Sequence, residues 1–495
     1  MFDFLKRKPE AAPRRVEPRM RRNFASAATG RLTADWPVTG VMLDESIRRD
    51  LRALRTRSRK LAMDSDYMKG FLRTIERNII GADGVGVRWR VKRADGSIDP
   101  LNEEVRAAFK DWCEVGVATV CGMHSFRDVE GLAARVMGRD GEFIIREIRG
   151  FQNGFGYALQ VLPADLLDET YNDTLRNGNT VRMGVERDKW LRPVAYHFRQ
   201  TPKDPILIAY LPGGDRVRVP ADEIIHLFLA DDVWQTRGVP WAHTAARRLN
   251  MLGNFEDAAL VNARVGAAKM GFYQARDELV GDFDGEESPD KDDEFIEDAE
   301  PGKFGIIPHG YEFKEFNPAF PTGDLAPFVK GMLRGAATGL GVDYNAWAND
   351  KEGVNYSTQR SGMVDERDQW KVLQTFVISR VHCRIVRGWL EQAVLSRKIN
   401  MPFSRVSEFR RPQFHPRGWT WIDPQKEIRG YAEEIALGIN SRLRVAASLG
   451  RDLREVTEEL AAEQAMAEEM GVPYRAPVPA KEEPTDKPKE EQDDA

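Results

Sequence analysis

The sequence predicts a multi-domain α+β protein, and three observations support this prediction. Apolar residues recur at helical spacing along residues 240–265, as in a long helix. Short segments in which apolar residues alternate with polar ones, typical of strands, are spread over residues 87–229. The chain has 495 residues, which is enough for about two to four domains and a sizeable core.

Composition limits the possible functions. The net charge is only −5, from 73 basic and 78 acidic residues, so the whole chain is not a polycation that grips nucleic acid. Three cysteines (Cys113, Cys121 and Cys383) indicate no disulfide framework and a reducing compartment. No run approaches the roughly 18 apolar residues of a membrane helix, and residues 1–10 are too short and too charged for a signal peptide. These features predict synthesis in the cytoplasm.

The N-terminal region is basic. Residues 1–33 carry more arginine and lysine than acid, with prolines that interrupt any helix. They form either an assembly arm that touches DNA, scaffold or coat protein, or a solvated tail. Residues 47–61 then predict an amphipathic helix. Its arginines share one helical face, which we expect to meet the carboxylates of a neighbouring subunit more readily than DNA; they are Arg48, Arg52, Arg55 and Arg59.

Residues 34–236 predict an α+β domain. Helices are expected at residues 67–80, 102–112 and 126–138, and strands at 87–91, 142–148, 157–162, 181–185, 193–198 and 224–229. Gly84 and Gly86 follow a helix and precede a strand, the reverse of the order in a dinucleotide-binding loop. His226 lies within an apolar strand, where a core or interface histidine is favoured over a catalytic one.

The helix from Pro240 to Val265 would be about 39 Å long. Pro240 suits a first helical turn, and small residues keep one side of the helix thin. From this pattern alone the helix could be an Ala-rich core helix of an ordinary domain, or it could pack beside copies of itself.

The region after this helix changes in composition. Residues 282–300 contain eleven carboxylates and one lysine, which indicates an exposed acidic loop. Residues 304–307 and 311–316 predict a hairpin, and residues 325–340 a second, shorter helix. A helix capped by Ser357 is expected to reach about residue 398, with Gly362 and Gly388 inviting bends. Charged helices follow over residues 427–438 and 441–470, and the proline-rich, charged residues 472–495 predict disorder.

Enzyme signatures are absent from the sequence. It has no P-loop, no G-x-S-x-G elbow and no H-E-x-x-H helix. Cys113, Cys121 and His124 lack the second close pair that a structural zinc site needs. The sequence therefore predicts no catalytic residue, no metal and no cofactor.

Several motifs, in order along the chain, resemble the lambda-type family of phage portal proteins. The central ones are the turn "RG-V-P", at Arg237, Gly238, Val239 and Pro240, and the helix motif "EDA-L", at Glu256, Asp257, Ala258 and Leu260. Further motifs match around them: "LR-RSR-L" from Leu54, the strand "A-d-eViHlf" from Ala221, "GLGV-Y" from Gly339, "NYS" from Asn355, and "DP-KE" from Asp423. Together they span residues 43–461, although the sequence departs mildly from the family pattern at Thr358 and Asp343.

The resemblance implies an α+β multi-domain portal fold with an α+β wing, a long α-helical stem, a small α/β clip and a helical crown. Its segments would be a flexible arm (1–33), the wing (34–236), stem helices (237–266 and 321–342), the clip (267–320), a tunnel loop with a long helix and wing return (343–422), the crown (423–471) and a disordered tail (472–495).

The resemblance also implies a function: a homo-oligomeric ring, commonly of twelve subunits, at one capsid vertex of the virion. The ring would pass double-stranded DNA, contacted non-specifically through its phosphates, during packaging and ejection. The expected partners are other copies of the chain, the terminase large subunit, the major capsid and scaffold or protease proteins, and head-completion (adaptor) proteins. Candidate channel residues are Lys351, Arg360 and Arg367. Candidate docking residues are Asp290, Asp292, Asp293 and Glu294.

Two alternatives remain open at this point. A minor capsid or connector adaptor protein would also sit on such a ring, but would not need the long helix at residues 240–265. A magnesium-dependent nuclease could use Asp282, Asp284 and Glu286, although a two-metal site needs carboxylates held by a folded framework.

Overall fold

The computed structural model describes residues 31, 40, 42–200, 215–267, 271–275, 311–315, 325–419 and 424–471. The predictions for the basic arm (residue 31 apart), the acidic loop at 282–300 and the tail at 472–495 therefore concern residues outside this description. Among the described helices, none is both long enough and apolar enough to cross a membrane.

The N-terminal part is mainly helical. It contains α1 (Leu43–Asp64), α2 (Asp66–Ile79), the short strand β1 (Gly86–Arg88), α3 (Leu101–Trp112) and α4 (Phe126–Asp140). Ser65 separates α1 from α2, and its hydroxyl accepts the Met68 N–H as the cap of α2. Ser125 and Asp128 form a capping box that starts α4. α4 ends at Gly141, whose φ of 85° lies in the left-handed region.

Two antiparallel sheets follow. The first has the order β3-β2-β9 and contains β2 (Glu142–Phe151), β3 (Gly156–Leu162) and β9 (Ile224–Phe228). The second is a meander of β4 (Asp173–Thr174), β5 (Thr180–Arg182), β6 (Val185–Arg187), β7 (Pro193–Arg199) and β8 (Arg216–Pro220). The single strand predicted at 181–185 is thus two strands, because Met183 and Gly184 have φ values of 45° and 83° and form a tight turn.

The predicted long helix is α5 (His243–Ala267), which begins three residues after Pro240. It runs antiparallel to α6 (Leu325–Leu340), and the rings of Phe255 and Phe328 lie 5.0 Å apart between them. β10 (Gly271–Ala275) follows α5 and pairs in antiparallel fashion with β11 (Tyr311–Glu315). β11 lies within the second arm of the predicted hairpin. Its described partner is β10, and residues 304–307 fall outside the described chain.

The helix predicted from Ser357 is interrupted, but not at a glycine. After the short α7 (Tyr344–Trp347), α8 (Tyr356–Val377) passes through a π-helical turn (Ile378–His382) into α9 (Cys383–Leu395). α9 continues regularly through Gly388, where a Cβ would lie only 2.8 Å from Glu147 Oε1. Gly388 therefore allows α9 to pack closely on the first sheet.

The remaining elements complete the core and the C-terminal helices. They are α10 (Val406–Phe409), β12 (Gln413–His415), α11 (Pro424–Ala436), α12 (Arg442–Ser448) and α13 (Leu453–Glu469). β12 pairs with β1, far away in sequence. The main core joins α2, α3, α4 and α9, and at its centre the Phe109 and Trp389 rings lie 4.9 Å apart. Asp452 caps α13 and accepts hydrogen bonds from Arg88 and Arg90, at 2.8 Å each, which tie α13 to the β1 region.

Candidate functional site

The turn that leads into α5 is organised by one buried carboxylate, Glu142, at the start of β2. Arg237 is fully buried and donates from Nε and Nη2 to this carboxylate, at 3.0 and 2.6 Å. The Gly238 N–H also donates to it, at 3.1 Å. Arg237 Nη1 and Nη2 donate in addition to three backbone carbonyls, those of Leu167, Met183 and Ala164. The Arg-Gly pair of the turn is therefore a structural clamp between β2 and α5.

Two more side chains complete this cluster. Arg55 Nη2 of α1 donates to Glu142 at 2.6 Å, and His226 Nε2 of β9 lies 3.0 Å from the second carboxylate oxygen. Burial raises the pKa of the Glu142 carboxyl, but the charges of Arg237 and Arg55 outweigh it and hold that pKa well below its usual range. Burial lowers the pKa of His226, while the charge of Glu142 and its hydrogen bond to the imidazole oppose this effect. Of the two roles that the sequence favours for His226, core or interface, the structure shows the first, since its side chain is 3% exposed and pairs with Glu142.

The backbone passes unusually close at the same place. A Cβ on Gly238 would lie 2.0 Å from the Gly141 carbonyl oxygen, and a Cβ on Gly141 would lie 2.2 Å from the Val239 carbonyl carbon. Only glycine fits at both positions, because a side-chain atom cannot approach backbone so closely. The turn thereby fixes the direction in which α5 leaves the sheet.

The predicted subunit-interface stripe of α1 requires a correction. Arg55 is buried inside its own chain on Glu142, so it is not available to a neighbouring subunit. Arg59 is half-buried and donates to Asp140 at 2.9 Å and to Asp165 at 2.5 Å, so its partners are also internal. Arg48 pairs with Glu45 on the surface, and Arg52 is exposed.

The sequence does indicate that Arg55 is buried. Arg55 lies four residues after Leu51 and eight after Ile47, so it shares their apolar face. A cation on the buried face of a helix requires a buried partner. This partner, Glu142, could not be predicted from the local pattern because it lies 87 residues away.

The candidate channel residues lie around the loop between α7 and α8. Lys351 and Arg360 are exposed, whereas Arg367 is half-buried. Burial lowers the pKa of Arg367, and the nearby charge of Glu427 in α11 opposes this effect. Arg367 therefore faces the C-terminal helices within its own chain, while Lys351 and Arg360 remain accessible.

This loop is anchored at both sides. The Trp347 Nε1 donates to the Tyr67 carbonyl of α2 at 2.9 Å. Lys330 of α6 pairs with Asp350 at 3.3 Å and with Glu352 at 2.5 Å. The two carboxylates next to Lys351 in sequence are thus paired with Lys330, and Lys351 itself is exposed.

The remaining candidate residues do not form a chemical centre in the described part of the chain. Asp290, Asp292, Asp293 and Glu294, as well as Asp282, Asp284 and Glu286, lie outside it. Within it, no group of three or more histidine, cysteine or carboxylate side chains is placed to hold a metal ion.

Comparison with known proteins identifies the class. Over residues 29–374 the sequence matches the family model for phage portal proteins of the lambda family. A probable portal protein of Halomonas phage phiHAP-1 is 35% identical over 476 residues, covering 94% of this chain and 90% of the relative. The portal protein of Escherichia phage N15 and portal protein B of Escherichia phage lambda are each 24% identical over 271 residues, covering 50% of this chain and of each relative.

A solved structure is also similar. The neck of an empty gene transfer agent particle aligns with a TM-score of 0.44 and 14% identity, over 81% of this chain and 94% of that chain. The sequence matches define a structural protein of the phage head–tail connector. The chain belongs to the lambda family of phage portal proteins.

Proposed function

We propose that this chain assembles into a closed ring, of twelve copies as is common in the family, at one vertex of the phage capsid in the virion. The central channel of this ring passes double-stranded DNA during packaging and ejection. In this arrangement residues 34–236 form the wing, 237–266 and 321–342 the stem, 267–320 the clip and 423–471 the crown. Residues 343–422 supply the tunnel loop, the long helix and the return to the wing.

The observation that carries this proposal is the exposed apolar surface of α5. The first turns of α5 are buried, with Ala245, Leu249 and Leu252 in the core. Beyond them the helix exposes large apolar side chains: Leu260 is 68% and Val261 60% exposed. A two-helix projection with exposed apolar residues needs lateral partners, and copies of itself in a ring would supply them.

The channel role rests on the accessible cations of the α7–α8 loop. DNA that moves through a ring without sequence preference is contacted through its phosphates only. Lys351 and Arg360 are both exposed, and both lie in the segment that the family resemblance assigns to the tunnel loop and the long helix. Arg367, which is half-buried beside α11, has a weaker claim to this role.

The proposed docking surface for other proteins is the clip, residues 267–320. We propose that the terminase large subunit and the head-completion proteins dock on the clip, where Asp290, Asp292, Asp293 and Glu294 are the candidate contacts. The major capsid and scaffold proteins would contact the outer surface. The density of carboxylates at residues 282–300 supports this, since such a surface repels DNA and attracts basic partners.

The mass of the purified full-length protein tests the proposal. Light scattering should give a multiple of the 56.2 kDa chain mass, and negative-stain images of the same peak should show rings with a hole wide enough for a duplex. A monomer that joins only a preformed ring of another protein would instead indicate an adaptor. Metal-dependent cleavage of plasmid DNA by the purified chain would indicate a nuclease.

A further inference from the structure

An exposed apolar patch lies at one end of the α+β region, on the loop after β9 and the tip of the β6–β7 hairpin. We call Trp190, Leu191, Val233 and Trp234 the tryptophan patch; Val233 is 92% exposed, Trp190 78% and Trp234 57%. Leu191 and Trp234 line one shallow concavity together with Met42, so the two loops form one surface. Exposed tryptophans of this kind are typical anchors of protein interfaces.

Hydrogen bonds within the subunit fix the backbone of the tryptophan patch. Arg187 donates to the Trp234 carbonyl at 3.3 Å and to the Gln235 carbonyl at 3.2 Å. At the hairpin tip, one oxygen of Asp188 accepts the N–H groups of Trp190 and Arg192, at 2.8 and 2.9 Å. A preformed patch loses little entropy when it binds, which favours a role in association.

The loop that carries Val233 and Trp234 is also acidic. Asp231 and Asp232 precede them and are exposed. Neither carboxylate forms an ion pair with a residue that the structure describes. The nearest cations in sequence are Lys189, which lies over the Trp190 ring at 5.5 Å, and Arg192. The loop therefore presents an apolar tip beside two unneutralised negative charges.

A groove of about 980 Å³ opens at the other end of α1, between α1, α4 and β3. We call it the α1–α4 groove. Its walls are mostly apolar, with Met63, Leu132, Val136 and Leu162 among them. Its lining includes three arginines (Arg59, Arg135 and Arg139) and two aspartates (Asp140 and Asp165). Arg59 and Arg139 pair with Asp140 inside the groove, and Arg135, the most exposed of the three arginines, pairs with Glu76 at 3.4 Å.

One backbone position in this groove is open. Leu159 in the edge strand β3 bonds outward to residues 118 and 120, through its N–H and its carbonyl, each at 2.9 Å. Val161, two residues further along β3, points its N–H and carbonyl in the same outward direction. Neither group bonds to backbone elsewhere in the described chain. An incoming segment can thus find a backbone donor and acceptor at the floor of an apolar groove.

The tryptophan patch and the α1–α4 groove lie at opposite ends of α1, as a head-to-tail contact in a ring requires. Asp44 at the start of α1 lines the concavity beside the tryptophan patch, and Met63 at its end lines the groove. The nineteen residues from one to the other correspond to about 28 Å along the helix axis. A head-to-tail contact joins two different surfaces of the same chain, one on each side of the subunit.

We infer that the tryptophan patch of one subunit inserts into the α1–α4 groove of the next copy, and that this contact joins neighbouring subunits of the ring. The inference rests on the proposed ring. The occupant is a second copy because this chain itself offers the matching surface: an acidic loop with an apolar tip for an apolar groove rimmed by arginine. Opposite charges at the rim would set the register of docking.

A native thiol allows a direct test. Cys121 lines the groove and is exposed, whereas Cys113 and Cys383 are half-buried. In the full-length V233C variant, a short bismaleimide should join residue 233 of one subunit to Cys121 of the next. Because each chain then carries both thiols, the products should form a ladder that extends beyond dimers toward the subunit number of the ring. Val233 is almost fully exposed, so this substitution leaves the fold intact.

Two controls separate this contact from others. V233C/C121S should lose the ladder and give at most dimers. V372C places a thiol at a comparably exposed valine of α8 (69% exposed) and should give no ladder above that of the wild type. A charge swap is independent of the thiols: R135E and D232R should each lower the fraction of protein in rings, and the R135E/D232R double variant should recover it.

The outcomes distinguish the inference from the proposed function. Rings of V233C that show no more cross-linking than V372C would overturn the inference and leave the ring intact. Cross-links from residue 233 to the coat protein alone, in co-assembled heads, would overturn it in favour of a capsid-docking patch. Absence of rings in the wild type as well would overturn the proposed function and the inference together.

Discussion

The buried cluster around Glu142 makes a sharp prediction for stability. Glu142→Gln keeps the shape of the side chain but removes the charge that Arg55 and Arg237 share. Both guanidinium groups would then remain buried without a negative charge beside them. The glutamine amide would offer them one acceptor oxygen in place of two, and its NH₂ group would itself be a donor. The change therefore tests whether the three charges stabilise the fold as one unit.

The magnitude follows from burial. Both Arg237 and Glu142 are 0% exposed, and Arg55 is 1% exposed. Removal of one partner from a buried ion pair costs about 3–5 kcal/mol, since the other charge stays desolvated. Here one substitution leaves two such charges, so we expect a loss of about 4 kcal/mol or more. That is a large share of the roughly 5–15 kcal/mol that stabilises a typical domain.

Urea unfolding followed by tryptophan fluorescence measures this loss. All variants should be compared at one protein concentration, because association shifts apparent stability. Glu76→Gln is the matched control: Glu76 is partly exposed and pairs with Arg135 at 3.4 Å and with Arg127 at 3.6 Å. Such pairs contribute about 0–1 kcal/mol. If E142Q is destabilised no more than E76Q, the cluster does not hold β2, α1 and the turn before α5 together.

Three further predictions concern pH, the glycine crossing and the channel. Hydrogen bonds from Thr170 and two arginines outweigh the effect of burial and lower the pKa of Asp168 from 3.8 to about 2. The Asp168 carboxylate should therefore contribute about 1–2 kcal/mol to the free energy of unfolding after solvent screening. This contribution should be complete above pH 4 and lost as the pH falls through 2. The acid-unfolding curve of D168N should lack this pH-dependent loss. Gly238→Ala should lower the midpoint of thermal unfolding because its Cβ would lie 2.0 Å from a backbone oxygen. Gly253→Ala is the control: the space around Gly253 is open, so alanine should stabilise the helix by about 0.5–1 kcal/mol. A similar loss of stability in both variants would contradict the close backbone crossing at Gly238. K351E/R360E should impair DNA packaging in a head-filling assay while rings still form, and loss of the rings would refute the channel placement.

Much of the local structure could be predicted from the sequence. The strands β2, β3, β7 and β9 lie where alternation predicts them, and α4 begins at its predicted first residue, Phe126. These features depend on neighbours within a few residues, so a single sequence contains the information. The errors occurred where local patterns are ambiguous: the turn at Met183 and Gly184 divides one predicted strand, and the π-helical turn at 378–382 occurs without glycine or proline.

The candidate sites were less predictable. A row of arginines at helical spacing is the same pattern whether it faces solvent, DNA, a neighbour or the core. The partner of Arg55 lies 87 residues away, and that of Arg237 lies 95 residues away. Which role each cation has is decided by those distant carboxylates, and the α1–α4 groove likewise exists only when α1, α4 and β3 come together.

The main helices and strands could be predicted from the sequence. The order of the family motifs, and through it membership of the portal family, could be predicted as well. These depend on short-range periodicity, on capping and turn residues, and on motifs that are read directly along the chain. Only the folded chain shows that the Arg-Gly turn clamps onto Glu142 and that Arg55 is internal. The same holds for the tryptophan patch and the α1–α4 groove, which lie at opposite ends of one helix. The physical reason is that burial and charge pairing depend on which distant segments meet, and that information is not contained in any local stretch of the chain.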